Sequence, residues 1–229
     1  TAVACAAAGI VIGLVSLTGI GLRFSSLILD LAGGSLLITL IFTMITSIIL
    51  GMGLPTVAAY IVQVSLTIPA LIEMGVHPIA AHMFVFYFAC MSAITPPVAL
   101  AAFAAAGIAK SNPMATGFMA MRLGIAAFIV PFVFVYSPSL LLLDTTFGEA
   151  AIVTVTVILG AYALAAAAEG WLLIQATWFE RILLLAAAIM LIIPQTLISL
   201  SGLGIGIIVF ILQYLRKGRN KPALMDGTA

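Results

Sequence analysis

The stretch Ser92-Ala93-Ile94-Thr95-Pro96-Pro97 interrupts an apolar run that extends from residue 78 to residue 109. Its two prolines remove two backbone donors, and each proline disfavours helical geometry in the residue before it, here Thr95 and Pro96. Both flanks have the composition of membrane helices. A helix can be broken at membrane depth only where protein or a polar cavity satisfies the freed backbone groups. The stretch therefore predicts a break in an intramembrane helix and a candidate ion or substrate site.

The composition of the whole chain is that of a membrane protein. Hydrophobic residues make up 65% of the 229 residues, charged residues make up 7%, and the mean hydropathy is +1.37. Soluble domains are about a quarter charged, so this chain lacks the polar groups to cover a globular surface. We therefore predict an all-α polytopic membrane protein. The two cysteines, Cys5 and Cys90, lie in apolar runs and are predicted to be small buried side chains, not a disulfide.

The basic residues are concentrated at the C-terminus. Four of the eight Lys and Arg residues are Arg216, Lys217, Arg219 and Lys221. Nucleic-acid binding is one interpretation of such a cluster, but the positive-inside rule favours a cytoplasmic tail after the last helix. Counting back from that tail places every basic residue after position 100 on the cytoplasmic side. We predict a multi-pass protein with a cytoplasmic C-terminus, in contact with the lipid bilayer and with no nucleic-acid partner.

A second break, Gly51-Met52-Gly53-Leu54-Pro55-Thr56, lies upstream in another apolar run. The helices predicted on either side, at 35–50 and 57–74, would exceed about 50 Å if they were straight and joined, which is more than one crossing requires. The glycines permit unusual backbone angles, and the proline prevents the helix from resuming earlier. Carbonyls before the break and amides after it become candidate ligands for a cation and an anion. A simple proline kink is the alternative.

The two arms of the opening stretch differ in length. The arm at 98–109 has about 12 apolar residues, or roughly 18 Å of helix, which is too short to span a bilayer. A re-entrant hairpin with its tip at 95–97 fits this length, and a single long kinked helix is the alternative. The arm at 78–94 carries most of the aromatic side chains, and the other arm is mostly small residues. We therefore predict two closely packed antiparallel arms, so that the fold combines a broken helix with a re-entrant hairpin.

Glu73 and His77 have the helical spacing of two metal ligands. No third ligand converges on them and Pro78 follows at once, so a polar helix end is the preferred interpretation. His82 lies deeper in an apolar stretch and is predicted to bond a neighbouring carbonyl.

Further membrane helices are predicted from the remaining apolar runs at 2–20, 124–136, 152–168, 182–193 and 203–215. Lys110-Ser111-Asn112-Pro113 is a helix-start signal. The chain begins at Thr1 inside an apolar run without the pattern of a signal peptide, and we expect it to be a portion of a longer protein.

Three ordered segments resemble a known family: residues 51–60 (GMGLPTVAAY), residues 92–100 (SAITPPVAL) and Asn112-Pro113-Met114. They resemble the large membrane subunit of TRAP transporters (tripartite ATP-independent periplasmic transporters), and in particular the fused permeases that work with TAXI-type binding proteins. The resemblance is close over residues 1–140, which correspond to the second half of the large permease. Residues 141–229 resemble, more loosely, the C-terminal membrane extension of the fused permeases.

The resemblance implies a sodium-coupled secondary importer of organic acids such as dicarboxylates, located in the bacterial inner membrane. The chain would be one half of an inverted-repeat, elevator-type transporter, with sodium as the coupling ion and no cofactor. Its partners would be a periplasmic TAXI-type solute-binding protein, the missing N-terminal permease half, and a small membrane subunit that is separate or fused. A first-half tip of the Thr-Pro-Thr-Glu kind is not found in this sequence. The chain is therefore expected to hold half of the site and not to transport by itself.

Under this resemblance the two breaks supply the site. Sodium needs oxygen ligands, which are expected from backbone carbonyls and hydroxyls of Gly51, Gly53, Thr56, Ser92, Ala93, Ile94 and Thr95. Substrate carboxylates are expected near the half-helix N-termini, at Pro55, Thr56, Thr95, Pro96, Pro97 and Val98.

Two other classes of function compete with a permease. A structural or assembly subunit is favoured if both breaks are mere kinks. An intramembrane enzyme would need paired acids, an activated serine or a metal cluster at membrane depth, but the acidic residues lie mostly at the ends of the apolar runs. We therefore predict that the chain is not an enzyme. The permease hypothesis requires the two breaks to lie within several ångströms of each other.

Overall fold

The computed structural model describes residues 2–143, 145–193 and 195–219. The predictions that concern Lys221 and the side chains of Cys5, Lys217 and Arg219 fall outside the described set. Within it the secondary structure is helical, apart from one isolated bridge between Trp171 and Gln175.

The chain forms two compact units, Thr1–Thr145 and Thr146–Ala229. The helices of the first unit are α1 (Ala2–Thr18), α2 (Ile20–Ala32), α3 (Leu36–Gly51), α4 (Thr56–Val64), α5 (Ile68–Glu73), α6 (Pro78–Met91), α7 (Leu100–Ala109), α8 (Pro113–Leu123) and α9 (Val130–Tyr136). Short 3₁₀ turns at Ile125–Phe128 and Pro138–Leu141 flank α9. The second unit contains α10 (Phe147–Glu169), α11 (Trp178–Ile192) and α12 (Thr196–Arg219).

Several of these helices have the length and composition of membrane spans. Helix α10 and the part of α12 from Leu197 to Arg216 are each long and apolar enough to cross a bilayer. Two bent pairs reach that length when each pair is taken as one span: Gly9–Val15 with Ile20–Ala32, bent by 74°, and Pro113–Leu123 with Ile125–Tyr136, bent by 66°. Helices α3, α6 and α7 are apolar but shorter. The prediction of an all-α polytopic membrane protein is confirmed.

The first break folds the chain back on itself. Gly53 adopts a left-handed conformation with φ of 77°, and the amide of Leu54 donates to the carbonyl of Gly51 at 3.3 Å. Beyond the turn, Gln63 Nε2 of α4 donates to the carbonyl of Ser47 in α3 at 3.2 Å. A straight helix would separate these two residues by about 24 Å. Helices α3 and α4 therefore form a helical hairpin, which we call the α3–α4 hairpin, with its tip at residues 52–55.

The second break separates two helices with different neighbours. Helix α6 packs against α3, α4, α5 and α9, whereas α7 packs against α8. The predicted close packing of two antiparallel arms around 95–97 is therefore wrong. Helix α7 is short and turns at Lys110, which has φ of 51°, so its small side chains pack against α8 rather than against α6. The hairpin of this unit lies at the first break instead.

The predicted helix over 57–74 is interrupted. Helix α4 ends at Val64 and α5 begins at Ile68, with Pro69 in the first turn of α5. Proline has no backbone N–H and is accommodated at a helix start, where that donor would have no partner. Pro69 is the signal for this boundary.

The core of the first unit forms around α6. Phe84 and Phe88 are fully buried, with ring centroids 4.9 Å apart, and both contact Phe132 of α9. Leu40 and Leu71 complete the centre of this core. The aromatic side chains of α6 thus pack between α3, α5 and α9, which holds the end of α6 against the α3–α4 hairpin.

In the second unit α11 packs against both α10 and α12. Two glycines allow the helices to approach closely. A Cβ at Gly160 would come within 2.9 Å of Ile192 Cγ1, and a Cβ at Gly202 would come within 2.8 Å of Met190 Cβ. Helices α10 and α11 each begin with a capping box, formed by Thr146 with Glu149 and by Thr177 with Glu180.

A polar network joins one end of these helices. The carboxylate of Glu180 accepts from Gln213 Nε2 and from Arg216 Nη1, each at 3.0 Å. Gln213 Oε1 accepts from the amides of Leu173 and Ile174 at 3.1 and 3.3 Å. The guanidinium of Arg181 donates to the carbonyls of Ala167 and Ala168, the last turn of α10, at 2.8 and 3.0 Å. These contacts satisfy backbone groups that the helix ends and the 171–176 segment would otherwise leave unpaired.

Candidate functional site

The two breaks meet in the structure. Gly51, the last residue of α3, lies against Ser92, the first residue after α6. A Cβ at Gly51 would come within 2.5 Å of Ser92 Oγ and 2.8 Å of Ser92 Cβ. The two breaks are therefore in direct contact, as the permease hypothesis requires.

Two further contacts extend this junction. The side chains of Thr56, at the start of α4, and Cys90, in the last turn of α6, lie close together. On the other side of the tip, a Cβ at Gly53 would lie 4.0 Å from Val98 Cγ1. Cys90 is exposed on the surface of this unit, so the prediction that it is buried is wrong.

Four helix ends surround the junction. Helices α3 and α6 end there, and α4 and α7 begin there. A helix carries about half a positive elementary charge at its N-terminus and about half a negative charge at its C-terminus. The junction therefore offers carbonyl oxygens from two helices and amide hydrogens from two others, the groups that bind cations and anions respectively.

The predicted hydroxyl ligands of the second break are buried. Ser92 Oγ donates to the carbonyl of Ala89 at 2.7 Å, and Thr95 Oγ1 donates to the carbonyl of Met91 at 2.8 Å. Each hydroxyl proton is thus engaged by its own helix. The oxygen lone pairs of Ser92 and Thr95 remain available to coordinate a cation or to accept a hydrogen bond.

The predicted carbonyl ligands differ in what they already bind. The Ala93 carbonyl accepts from the amide of Ala101 at 3.0 Å, and the Gly51 carbonyl accepts from Leu54 at a longer 3.3 Å. Among the described residues, no backbone amide donates to the carbonyls of Gly53 or Ile94. These two oxygens are the best placed of the four to take a new ligand.

The two helix starts also differ. Pro55 precedes α4, and its side chain makes no cap hydrogen bond to the first-turn amides. At the start of α7, by contrast, the amides of Leu100 and Ala101 donate to the carbonyls of Val98 and Ala93. Helix α4 therefore offers more free donors for an anion than α7 does.

The proline pair lies at the edge of the junction. The Pro96–Pro97 peptide bond is cis, and Pro96 packs toward α8, where a Cβ at Gly117 would meet its Cγ at 3.1 Å. Pro55, Pro97 and Val98 are exposed at the surface of the unit. The predicted substrate-binding positions thus divide between an exposed tip and a partly buried turn.

One pair of side chains near the junction was missed in the sequence. The hydroxyl of Tyr60 hydrogen-bonds Nδ1 of His82 at 2.7 Å. His82 therefore bonds a side chain and not the carbonyl that was predicted. Thr56 and Tyr60 are four residues apart in α4, and His82 and Cys90 are eight residues apart in α6. Such spacings place residues on one face of a helix. That spacing was the available signal.

A buried polar stripe on α3 was also missed. Thr39, Thr43 and Ser47 are fully buried and lead, at intervals of four residues, to Gly51. Gln63 of α4 is fully buried beside Ser47. The stripe connects the interior of the α3–α4 hairpin to the junction.

Glu73 and His77 lie at helix ends, as the preferred interpretation predicted: Glu73 is the last residue of α5, and His77 comes directly before α6. His77 precedes α6, and its Nδ1 accepts from the amide of Ile79 at 3.2 Å, capping that helix. No group of three or more His, Cys, Asp or Glu residues that could hold a metal ion is present in the part of the chain that the structure describes.

Comparison with known protein families gives a match over most of the chain. The family described as "Tripartite ATP-independent periplasmic transporter, DctM component" matches residues 1–148, which include both breaks and the whole first unit. No curated protein and no solved structure matches the chain.

Proposed function

The chain belongs to the DctM component family of the tripartite ATP-independent periplasmic transporters, and from this membership we propose that it forms half of a sodium-coupled site for organic acids. The family makes the chain a membrane permease component of such a transporter. The observation that carries the finer proposal is the contact between Gly51 and Ser92, which joins two broken helices at one point. Converging half-helices are the usual way in which secondary transporters bind an ion and an anionic substrate.

Sodium binds at the junction through oxygen atoms. The carbonyls of Gly53 and Ile94 are its first ligands, because no backbone amide among the described residues competes for them. The carbonyls of Gly51 and Ala93 and the hydroxyls of Thr56, Ser92 and Thr95 are the remaining candidates, of which the complete shell uses a subset.

The substrate carboxylate binds at the start of α4, near Pro55 and Thr56. The first-turn amides there have no side-chain cap, and the helix dipole favours a negative charge. Thr95, Pro96, Pro97 and Val98, in the segment between α6 and α7, are the remaining candidates for contact with the substrate. A bound sodium ion lowers the cost of bringing an anion to this depth, since an unpaired charge in a low-dielectric site is expensive.

The remaining elements of the transporter lie outside this chain. We propose that a periplasmic solute-binding protein of the TAXI type delivers the substrate, and that an N-terminal permease half and a small membrane subunit complete the assembly. The location proposed is the bacterial inner membrane, with a cytoplasmic C-terminus. The second unit, 146–229, is a membrane extension of the permease.

The test is the sodium dependence of uptake by the complete transporter, reconstituted in liposomes with its binding protein. In Thr95→Val the hydroxyl is lost and the side-chain volume is kept. We expect the sodium concentration for half-maximal uptake to rise by about tenfold, as is typical when a metal site is weakened.

Thr67→Val is the matched control. Thr67 is also buried and donates to the carbonyl four residues earlier, at 3.1 Å, but it lies between α4 and α5, away from the tip. We expect its sodium dependence to match that of the unmodified transporter. An unchanged sodium response in Thr95→Val rejects Thr95 as a ligand, and uptake that needs no sodium in the unmodified transporter rejects the coupling ion.

A further inference from the structure

The interior of the α3–α4 hairpin holds three oxygen atoms without a hydrogen-bond partner: Thr43 Oγ1, Ser47 Oγ and Gln63 Oε1. All three residues are fully buried. We propose that they form a second binding site for a monovalent cation, taken by sodium, below the tip of the hairpin.

The three residues belong to one place in the hairpin. Thr43 and Ser47 are one helical turn apart on the same face of α3. Gln63 reaches Ser47 from α4, because its Nε2 donates to the Ser47 carbonyl at 3.2 Å. That bond fixes the amide group beside Ser47 while its oxygen stays without a donor.

Neighbouring residues show that the missing partners are particular to this site. A Ser or Thr hydroxyl in a helix usually donates to a carbonyl three or four residues earlier. Thr39 donates in this way to Ser35 at 3.0 Å, and Thr67 donates to Gln63 at 3.1 Å. Thr43 and Ser47 follow Thr39 in the polar stripe of α3 and make no such bond. Each buried polar atom without a partner costs about 1–3 kcal/mol, so three together indicate a bound species that satisfies them.

The chemistry of the three atoms favours a monovalent cation. Two hydroxyls and one amide oxygen are hard donors, which suit an alkali cation. No carboxylate belongs to the cluster, and an uncompensated double charge costs far more to bury than a single one, so a monovalent ion is favoured over a divalent one. Gln63 Oε1 can only accept, so it matches a cation without any rearrangement of protons.

This inference rests on the proposed sodium coupling but concerns a different site. Ser47 lies one helical turn from Gly51, so the cluster is adjacent to the junction and distinct from its ligands. A cation there would bridge α3 and α4 and stabilise the closed hairpin.

The experiment measures sodium binding and sodium-dependent thermal stability in the purified complete transporter. The unmodified protein should bind ²²Na⁺ at two classes of site, and its melting temperature should rise with sodium chloride but not with choline chloride. In Thr43→Val and Ser47→Ala we expect the loss of one class, or about tenfold weaker binding in it. In choline chloride neither variant should melt earlier, because each removes an atom that has no partner there.

Thr39→Val is the matched control, since Thr39 is equally buried on the same face but already bonded. Its sodium binding should match that of the unmodified protein. Unchanged sodium binding in both Thr43→Val and Ser47→Ala overturns the second site, and equal destabilisation in sodium and choline identifies a buried water instead. A protein with no sodium response at all rejects the proposed coupling together with this site, whereas a response that persists in the variants rejects this site alone.

Discussion

Gly51 and Ser92 touch so closely that no β-carbon can stand between them. One residue ends the first arm of the α3–α4 hairpin, and the other begins the irregular segment after α6. The contact fixes the tip of the hairpin against the second break without any polar bond between the two residues. The geometry of the proposed site therefore depends on the absence of a side chain at position 51.

Gly51→Ala should separate the two breaks. Its Cβ would lie 2.8 Å from Ser92 Cβ, a distance that real Cβ contacts do not adopt, so one break must move. We expect loss of at least about nine-tenths of the uptake by the complete transporter, because a displacement near 1 Å at a binding site is enough to cost about 100-fold in rate.

Gly107→Ala is the control for that substitution. Gly107 lies in α7 with open space around the position of its Cβ. Replacing a helical glycine by alanine there should raise the free energy of unfolding by about 0.5–1 kcal/mol and leave uptake unchanged. Full uptake by Gly51→Ala would contradict the role assigned to the contact.

Tyr60→Phe should remove the hydrogen bond to His82 and keep the aromatic contacts. The ring of Tyr60 lies edge-on to Phe86, with centroids 5.5 Å apart, and phenylalanine can preserve that packing. We expect a loss of about 0.5–1.5 kcal/mol in the free energy of unfolding. Thermal unfolding in detergent measures it. Tyr214→Phe, at an exposed position of α12, is the control and should leave the melting temperature unchanged. Equal melting temperatures for the two variants would show that the hydrogen bond of Tyr60 does not stabilise the protein.

Gln213→Leu should lower the free energy of unfolding of the second unit. Leucine fills a similar volume but leaves the amides of Leu173 and Ile174 without an acceptor and removes one donor from Glu180. At about 1–3 kcal/mol for each unsatisfied buried group, we expect a loss of at least about 2 kcal/mol. Limited proteolysis of the 171–176 segment provides the readout. Tyr214→Leu, the next residue and exposed, is the control, and a similar cleavage rate in both variants would refute the prediction.

Gly202→Val should disturb the packing of α11 against α12. A Cβ at Gly202 would meet Met190 Cβ at 2.8 Å and the Ala187 carbonyl at 3.0 Å. Forcing such atoms apart costs about 1–3 kcal/mol, visible as a lower melting temperature. Gly204→Val, two residues along the same helix, meets open space and should be nearly neutral. If both substitutions prove equally mild, the close approach at Gly202 does not stabilise this unit.

Local chemistry predicts where helices stop in this chain. Asn112 was recognised as a helix start, and it caps α8 by accepting from the amide of Ala115 at 3.1 Å. Both breaks were also located, since proline and glycine act within a few residues of where they stand. The carbonyls before a break and the amides after it could therefore be named as candidate ligands from local chemistry, whereas the hydroxyl ligands were implied by the family resemblance.

The direction that the chain takes after a break could not be predicted from local sequence. Both breaks contain proline, yet only the first folds back into a hairpin, because Gln63 and Ser47 can join its arms. The aromatic side chains of α6 pack with Phe132 instead of α7, which leaves α7 to pair with α8. These choices depend on contacts between residues that are far apart in sequence, and no local pattern encodes them. The four-residue spacing of Thr39, Thr43 and Ser47 is visible in the sequence. The missing hydrogen bonds of Thr43 and Ser47 are visible only in the structure.

The four helix ends at the junction have a consequence for the membrane potential. Two positive and two negative half-charges nearly cancel, and neither break contains an ionisable side chain. If the proposed elevator-type movement carries the junction across the membrane, the junction without cargo would carry no net charge of its own through the electric field. Each unbalanced charge of the cargo is worth about 2.3 kcal/mol per 100 mV. A doubly charged acid with two sodium ions would move electroneutrally, and a third sodium ion would make uptake respond to voltage.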